Sequence, residues 1–175
     1  MLKKILIVLV IAIAAFLIYT ATKPDTFRVE RTVSIKAPPA RIYAMLNDLH
    51  IWNTWSPFEK LDPNAKKTFS GADSGVGAVE EWDGNSKAGA GRMEITEASP
   101  SSKILIKLDF LKPFVSHNMA EFTLDSTTEG VNVTWAMYGP SPYIHKIMST
   151  FFSMDKMVGG QFETGLGNLK ALAEK

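Results

Sequence analysis

Between Phe27 and Tyr138 the chain repeats one pattern: short runs in which apolar side chains return at alternate positions, punctuated by turn-forming residues. A side-chain period of two places successive residues on opposite faces of a strand, so each run offers one apolar face and one polar face. The runs are Phe27–Ile35, Lys67–Ser70, Val76–Asp83, Ala90–Ala98, Lys103–Phe110, His117–Asp125 and Val131–Tyr138. Short links such as Gly84-Asn85 and Lys112-Pro113 join the later runs as an antiparallel meander. Ile104, Ile106, Leu108 and Phe110 point one way while Lys107 and Asp109 point the other; Phe122, Trp135 and Met137 lie on the apolar faces of their own runs. A sheet with one apolar face needs a cover.

Helical spacing supplies it. Pro38-Pro39 ends the first run, and Ile42, Tyr43, Met45, Leu46 and Leu49 then predict a helix over 39–48. A short turn follows with Trp52, Trp55 and Phe58. Near the other end Phe151, Met154, Val158, Phe162, Leu166, Leu169 and Ala173 step by threes and fours, predicting an amphipathic helix over 153–173 with Ser153 as N-cap. Gly159, Gly160, Gly165 and Gly167 are out of place there, since each glycine costs about 1 kcal/mol against alanine in a helix interior. They point to close approach by the sheet, or to room for a ligand.

The front of the chain is different in kind. From Ile5 to Thr22 no residue is charged, and as a helix those residues span about 27 Å, close to the hydrocarbon thickness of a bilayer. A buried globular helix would carry a polar stripe, which is missing; a cleaved signal would want small residues at −3 and −1, and Thr20-Ala21-Thr22 is a poor match. An uncleaved anchor is the leading expectation, with the cleaved signal and the core helix as alternatives. Lys3 and Lys4 keep the N-terminus cytoplasmic and put the remainder in the periplasm or outside the cell. The expected organisation is an anchor over 1–22, a tether over 23–26 and one domain over 27–175.

Composition excludes several chemistries. The 175 residues include no cysteine, which removes disulfides, thiolate metal sites and cysteine nucleophiles. Nineteen Lys and Arg against eighteen Asp and Glu, without an aromatic-basic stripe, give no reason to expect nucleic acid. His50, His117 and His145 are widely separated, so no metal site is expected, and no cofactor either. The glycine-rich stretch 71–77 lacks a following Gly-Lys-Ser/Thr and reads as a hairpin turn.

The order βααββββββα, with Val33-Ser-Ile-Lys-Ala-Pro38, Trp52-Asn-Thr-Trp55-Ser-Pro-Phe58, Gly75-Val-Gly77, Trp82-Asp-Gly-Asn85, Gly89-Ala-Gly91-Arg-Met-Glu-Ile95 and Met157 to Lys170, resembles the START-like helix-grip (SRPBCC) superfamily and its polyketide cyclase/dehydrase and lipid-transport group. The resemblance implies an α+β fold: a seven-stranded antiparallel sheet wrapped around a long C-terminal helix, with a deep apolar cavity between them. The expected lining is Trp55, Phe58, Trp82, Met93, Phe110, Phe122, Trp135, Met137 and Phe162, large side chains with methionine among them, as suits an adaptable pocket. Alternation alone leaves the face of Trp82 open. Glu80, Arg92, Glu94, His117 and Asn118 are the polar strand residues from which a ligand-orienting group would come. The leading expectation is a membrane-anchored, non-catalytic binder of a lipid or other hydrophobic small molecule, with no catalytic residue assigned. The alternatives are a cyclase- or dehydratase-like enzyme using a buried carboxylate, and an envelope interaction scaffold; oligomeric state is left open.

Overall fold

The computed structural model describes all 175 residues. Helix α1 (Leu2–Ala21) precedes a seven-stranded antiparallel sheet, in the order β1-β7-β6-β5-β4-β3-β2. Its strands are β1 (Thr26–Ile35), β2 (Lys66–Gly71), β3 (Ala78–Asp83), β4 (Ala90–Ser99), β5 (Lys103–Lys112), β6 (Ser116–Thr127) and β7 (Gly130–Pro140). Between β1 and β2 lie helix α2 (Pro39–Asn47) and two 3-10 segments (Leu49–Thr54 and Pro57–Lys60). After β7 come α3 (Tyr143–Phe151) and the long α4 (Met154–Ala173). The helix-grip architecture expected from the sequence is present.

Register fixes the faces. Val29 pairs with Met137, Phe122 with Trp135, Ile106 with Ala120 and Met93 with Leu108, so these side chains share the concave face. Two bulges in the β4–β5 pair, with Leu111 the extra residue of β5 and Thr96 that of β4, bend the sheet. Helix α4 lies along β1 and reaches β7 and the second 3-10 segment, while the first 3-10 segment reaches β3. One cluster of buried residues joins the layers, from Val29 and Ile35 through Leu46, Trp52 and Trp55 to Phe162, Leu166 and Leu169.

Helix α2 ends without a capping glycine. Its last carbonyls are instead met by indoles: Trp52 Nε1 donates to the Leu46 carbonyl at 3.0 Å, and Trp55 Nε1 to that of Met45 at 3.3 Å. Both rings are therefore pinned by backbone as well as by packing.

Two features depart from the sequence expectation. The predicted C-terminal stripe began at Phe151 and Met154, yet a break at Phe152-Ser153 separates α3 from α4 and leaves both side chains exposed. Only two of the helix glycines meet close neighbours. A Cβ at Gly165 would stand 2.8 Å from the Trp135 ring and 3.0 Å from Pro57, and one at Gly159 would run into the Arg31 guanidinium. Gly160 and Gly167 face open space. Gly160→Ala and Gly167→Ala are accordingly expected to stabilise the protein by about 0.5–1 kcal/mol each. Gly165→Ala is expected to destabilise it by about 1–2 kcal/mol, because a ring stacked on both faces has nowhere to move. Thermal melts of the three variants check the contrast.

Candidate functional site

The space between the sheet and α4 is occupied by aromatic rings. Trp135, on β7, stacks on Phe162 of α4 at 4.1 Å between centroids and 12° between planes, and on Phe122 of β6 at 5.0 Å. Trp52 and Trp55 approach Phe122 and Trp135 edge-on at 5.5 to 6.5 Å. Phe58, on the second 3-10 segment, closes the stack with its edge toward Trp135 (5.8 Å) and Phe162 (6.3 Å) and remains 36% exposed. Among the expected lining residues, Trp55, Phe58, Phe122, Trp135 and Phe162 thus form one contiguous stack. Met137 is buried in the same core, with Met93 half-buried against it.

Trp82 and Phe110 form a separate pair. Trp82 lies over Gly91, whose missing side chain leaves room for the ring, and its Nε1 donates to the Ala88 carbonyl at 3.1 Å. It pairs across the strands with Gly91, and Gly91 with Phe110, so both rings are on the concave face, 5.9 Å apart and half-buried. The open question about Trp82 is settled by this register. The deep central cavity implied by the resemblance is filled at its middle by the chain's own rings. Two recesses, of about 390 and 340 Å³, open instead on the convex face beside Asp109, His117 and Tyr138 and at the β1–β7 edge beside Phe27 and Arg28.

The polar candidates divide by face. Glu94 pairs with Val79 and Lys107, on the convex side, and binds Arg92 at 2.7 Å; His117 is exposed and binds Asp109 at 2.7 Å. Glu80 and Asn118 point inward and are buried, at 1% and 6% exposure. The Glu80 carboxylate meets Lys67 Nζ at 2.7 Å, and Lys67 also binds Glu59. Lys67 pairs with Trp82 and Phe69 with Glu80, so the lysine reaches its carboxylate along the cross-strand diagonal. Burial pushes the Glu80 carboxyl up, with Lys67 opposing the shift. For Lys67 burial works downward, but hydrogen bonds to Glu59 and Glu80 outweigh it and leave the ammonium raised.

Sequence reasoning missed Lys67, Glu59 and Arg31. Arg31 also lies on the inner face, where it binds Asp155 at 2.8 Å and Glu163 at 2.6 Å and so clips β1 to α4. Alternation gave a signal for Lys67, which shares its face with Phe69; Glu59 gave none, because a 3-10 turn has no side-chain period to read.

Three buried polar atoms on the concave face have no hydrogen-bond partner: Glu80 Oε2, Asn118 Oδ1 and Trp135 Nε1. An unsatisfied buried donor or acceptor costs about 1–3 kcal/mol. Chemically, the face offers one donor, one amide acceptor and one carboxyl held beside an ammonium, all within apolar surroundings. It gathers no group of three or more His, Asp and Glu suited to a metal ion.

Residues 26–174 match the family model described as polyketide cyclase / dehydrase and lipid transport. A search of curated proteins finds no match. Among solved structures, the chain is similar to protein CV1439 from Chromobacterium violaceum (TM-score 0.59, 19% identity, covering 87% of this chain and 99% of that one). It is also similar to the Aha1 dimer structure from Colwellia psychrerythraea (TM-score 0.56, 16% identity, 85% and 96%). A third likeness is to the di-domain ARO/CYC StfQ from the steffimycin biosynthetic pathway, of which it spans about half (TM-score 0.62, 13% identity, 85% and 51%). At these identities the likeness is one of fold.

Proposed function

The chain belongs to the polyketide cyclase / dehydrase and lipid-transport family, and from that premise we propose that its grip binds an apolar molecule bearing a hydrogen-bonding group. The observation that carries this reading is the set of unpartnered atoms, Trp135 Nε1 above all, within an otherwise apolar interior. A lipid or polyketide-like molecule would enter by swinging Phe58 aside. That ring is the least buried member of the stack and sits on a four-residue 3-10 segment. Its tail would lie along Trp82, Met93 and Phe110, with Trp55, Phe122, Trp135, Met137 and Phe162 forming the floor and its polar end on the Trp135 N–H.

Helix α1 is long and apolar enough to cross a membrane, and Thr20 is its single buried residue. In this reading it spans the bilayer with Lys3 and Lys4 on the cytoplasmic side, and the domain faces the periplasm or the outside. Organic extraction and mass spectrometry of the full chain, purified from membranes, test the binding. An apolar species is expected at near-stoichiometric amounts. Trp135→Phe, which keeps a ring and removes the donor, is expected to lower its retention about 2- to 12-fold, the worth of one hydrogen bond. Equal retention by both proteins counts against the proposed pose.

One observation favours a second reading. A carboxyl raised by burial and held beside an ammonium is the equipment of a general acid or base acting on an enolisable substrate. If Glu80 serves that role, the native protein exchanges an acidic C–H of the extracted species for solvent deuterium on incubation in heavy water, and Glu80→Gln retains the species without that exchange. Equal exchange by both proteins excludes Glu80 as the acid or base.

A further inference from the structure

Outside α1, exposed large apolar side chains are concentrated at one end of the domain. Thr26 pairs with Pro140, and β5 and β6 meet at the same end of the sheet in a hairpin whose tip exposes Leu111, Phe114 (60%) and Val115. Helix α3, the break after it and the first turn of α4 add Ile144, Phe152 (60%) and Met157. The opposite end carries the turns at 71–77, 99–103 and 127–130, where Val76 is the one exposed large apolar residue. Exposed apolar side chains gathered at one end in this way point to a contact face.

Helix α3 is fastened to the last turns of α1. The Tyr143 hydroxyl donates to the Leu17 carbonyl at 2.7 Å and lies 3.0 Å from the Thr20 hydroxyl, and Phe151 packs on Phe16 at 5.7 Å. Lys23 Nζ donates to Ser149 and Thr150, and the buried Lys146 binds Asp25 at 2.6 Å. The connection after α1 is therefore no free tether. A helix bonded to Leu17 and Thr20 sits at the depth where a span ending at Ala21 leaves the hydrocarbon.

We propose that this end of the domain, formed by the β5–β6 hairpin tip and the α3–α4 elbow, is a lipid-docking face seated in the interfacial region of the same bilayer that α1 spans. The inference rests on the reading of α1 as a span and adds a second, independent contact. Apolar tips would enter the acyl boundary, with the exposed Lys156 at the elbow placed to meet headgroup phosphates, while Lys112 at the hairpin tip holds Asp83 at 2.9 Å. The 3-10 segment with Phe58 would then open toward a surface from which an apolar ligand can be drawn.

The absence of cysteine makes single spin labels selective. The full chain is reconstituted in phosphatidylcholine/phosphatidylglycerol nanodiscs with a nitroxide at Phe152→Cys, Phe114→Cys, Ile11→Cys or Ser126→Cys, and relaxation by oxygen and by a water-soluble nickel chelate is compared. All four native side chains are exposed, and circular dichroism checks that each variant folds. Labels at 152 and 114 are expected to favour oxygen strongly, between the deep label at 11 and the aqueous label at 126. If 11 is in lipid while 152, 114 or both report water, the docking face is wrong and the span survives. If 152 and 114 are shielded from both relaxants, the face belongs to a protein partner and the proposal fails. If 11 reports water, the span and the docking face fall together.

Discussion

Replacing Lys67 by methionine is expected to destabilise the protein by about 3–5 kcal/mol at pH 8, the usual cost of removing one partner from a buried ion pair. Glu80, at 1% exposure, would lose its cation with one oxygen already unpartnered, and the remaining neighbour, Glu59, is of the same sign. The loss should shrink as the pH falls. A carboxyl whose pKa is higher in the folded than in the unfolded protein contributes stability at pH values below its unfolded pKa and loses it as the pH rises through its folded pKa. Burial already raises Glu80 in the native protein, and removal of Lys67, which opposes that rise, lifts it further. Denaturant unfolding at pH 8 and pH 5 should therefore show a larger deficit at the first than at the second. Glu80→Gln, which leaves Lys67 paired with Glu59, should be close to neutral at both. A Lys67→Met deficit independent of pH would mean that Glu80 is not the group left exposed to the loss.

The second large effect concerns the aromatic stack. Phe162→Ala should cost about 3–5 kcal/mol, because the ring is 1% exposed, stacks on Trp135 and leaves a hole that neighbouring rings cannot close. Phe58→Ala removes a ring from the same stack, but one that already meets solvent, and should cost no more than about 1–2 kcal/mol. Chemical denaturation followed by tryptophan fluorescence separates the two. The asymmetry is what a movable gate on a fixed floor requires; equal costs would place Phe58 in the floor and remove the entry route.

Much of the architecture was legible because a strand period of two is hard to mistake. Ile104, Ile106, Leu108 and Phe110 could be assigned to one face before any pairing was known, and Glu80 and Asn118 could be named as polar residues among those that alternation sends inward. What alternation cannot supply is register across strands. Lys67 finds Glu80 only because β2 pairs with β3 in one particular alignment, and Trp82 turned inward only once Gly91 was placed beneath it. Helix phase was legible for Phe162, Leu166 and Leu169 and failed at Phe151 and Met154, where a break at Phe152-Ser153 resets the rotation. The filling of the grip lay beyond sequence for another reason: whether Trp135, Phe122 and Phe162 line a cavity or close it depends on ring volumes meeting across two layers, which no periodicity encodes.

The indole N–H groups provide the most direct measurement. Trp52, Trp55 and Trp82 already donate to backbone carbonyls, while Trp135 has no acceptor. In the full chain in nanodiscs with 15N-labelled tryptophan, addition of 1-dodecanol should move the Trp135 indole resonance downfield, leave the other three nearly fixed, and have no such effect when dodecane replaces the alcohol. A Trp135 resonance that stays in place at saturating alcohol, or that moves equally with the alkane, would contradict a ligand hydrogen-bonded inside the grip.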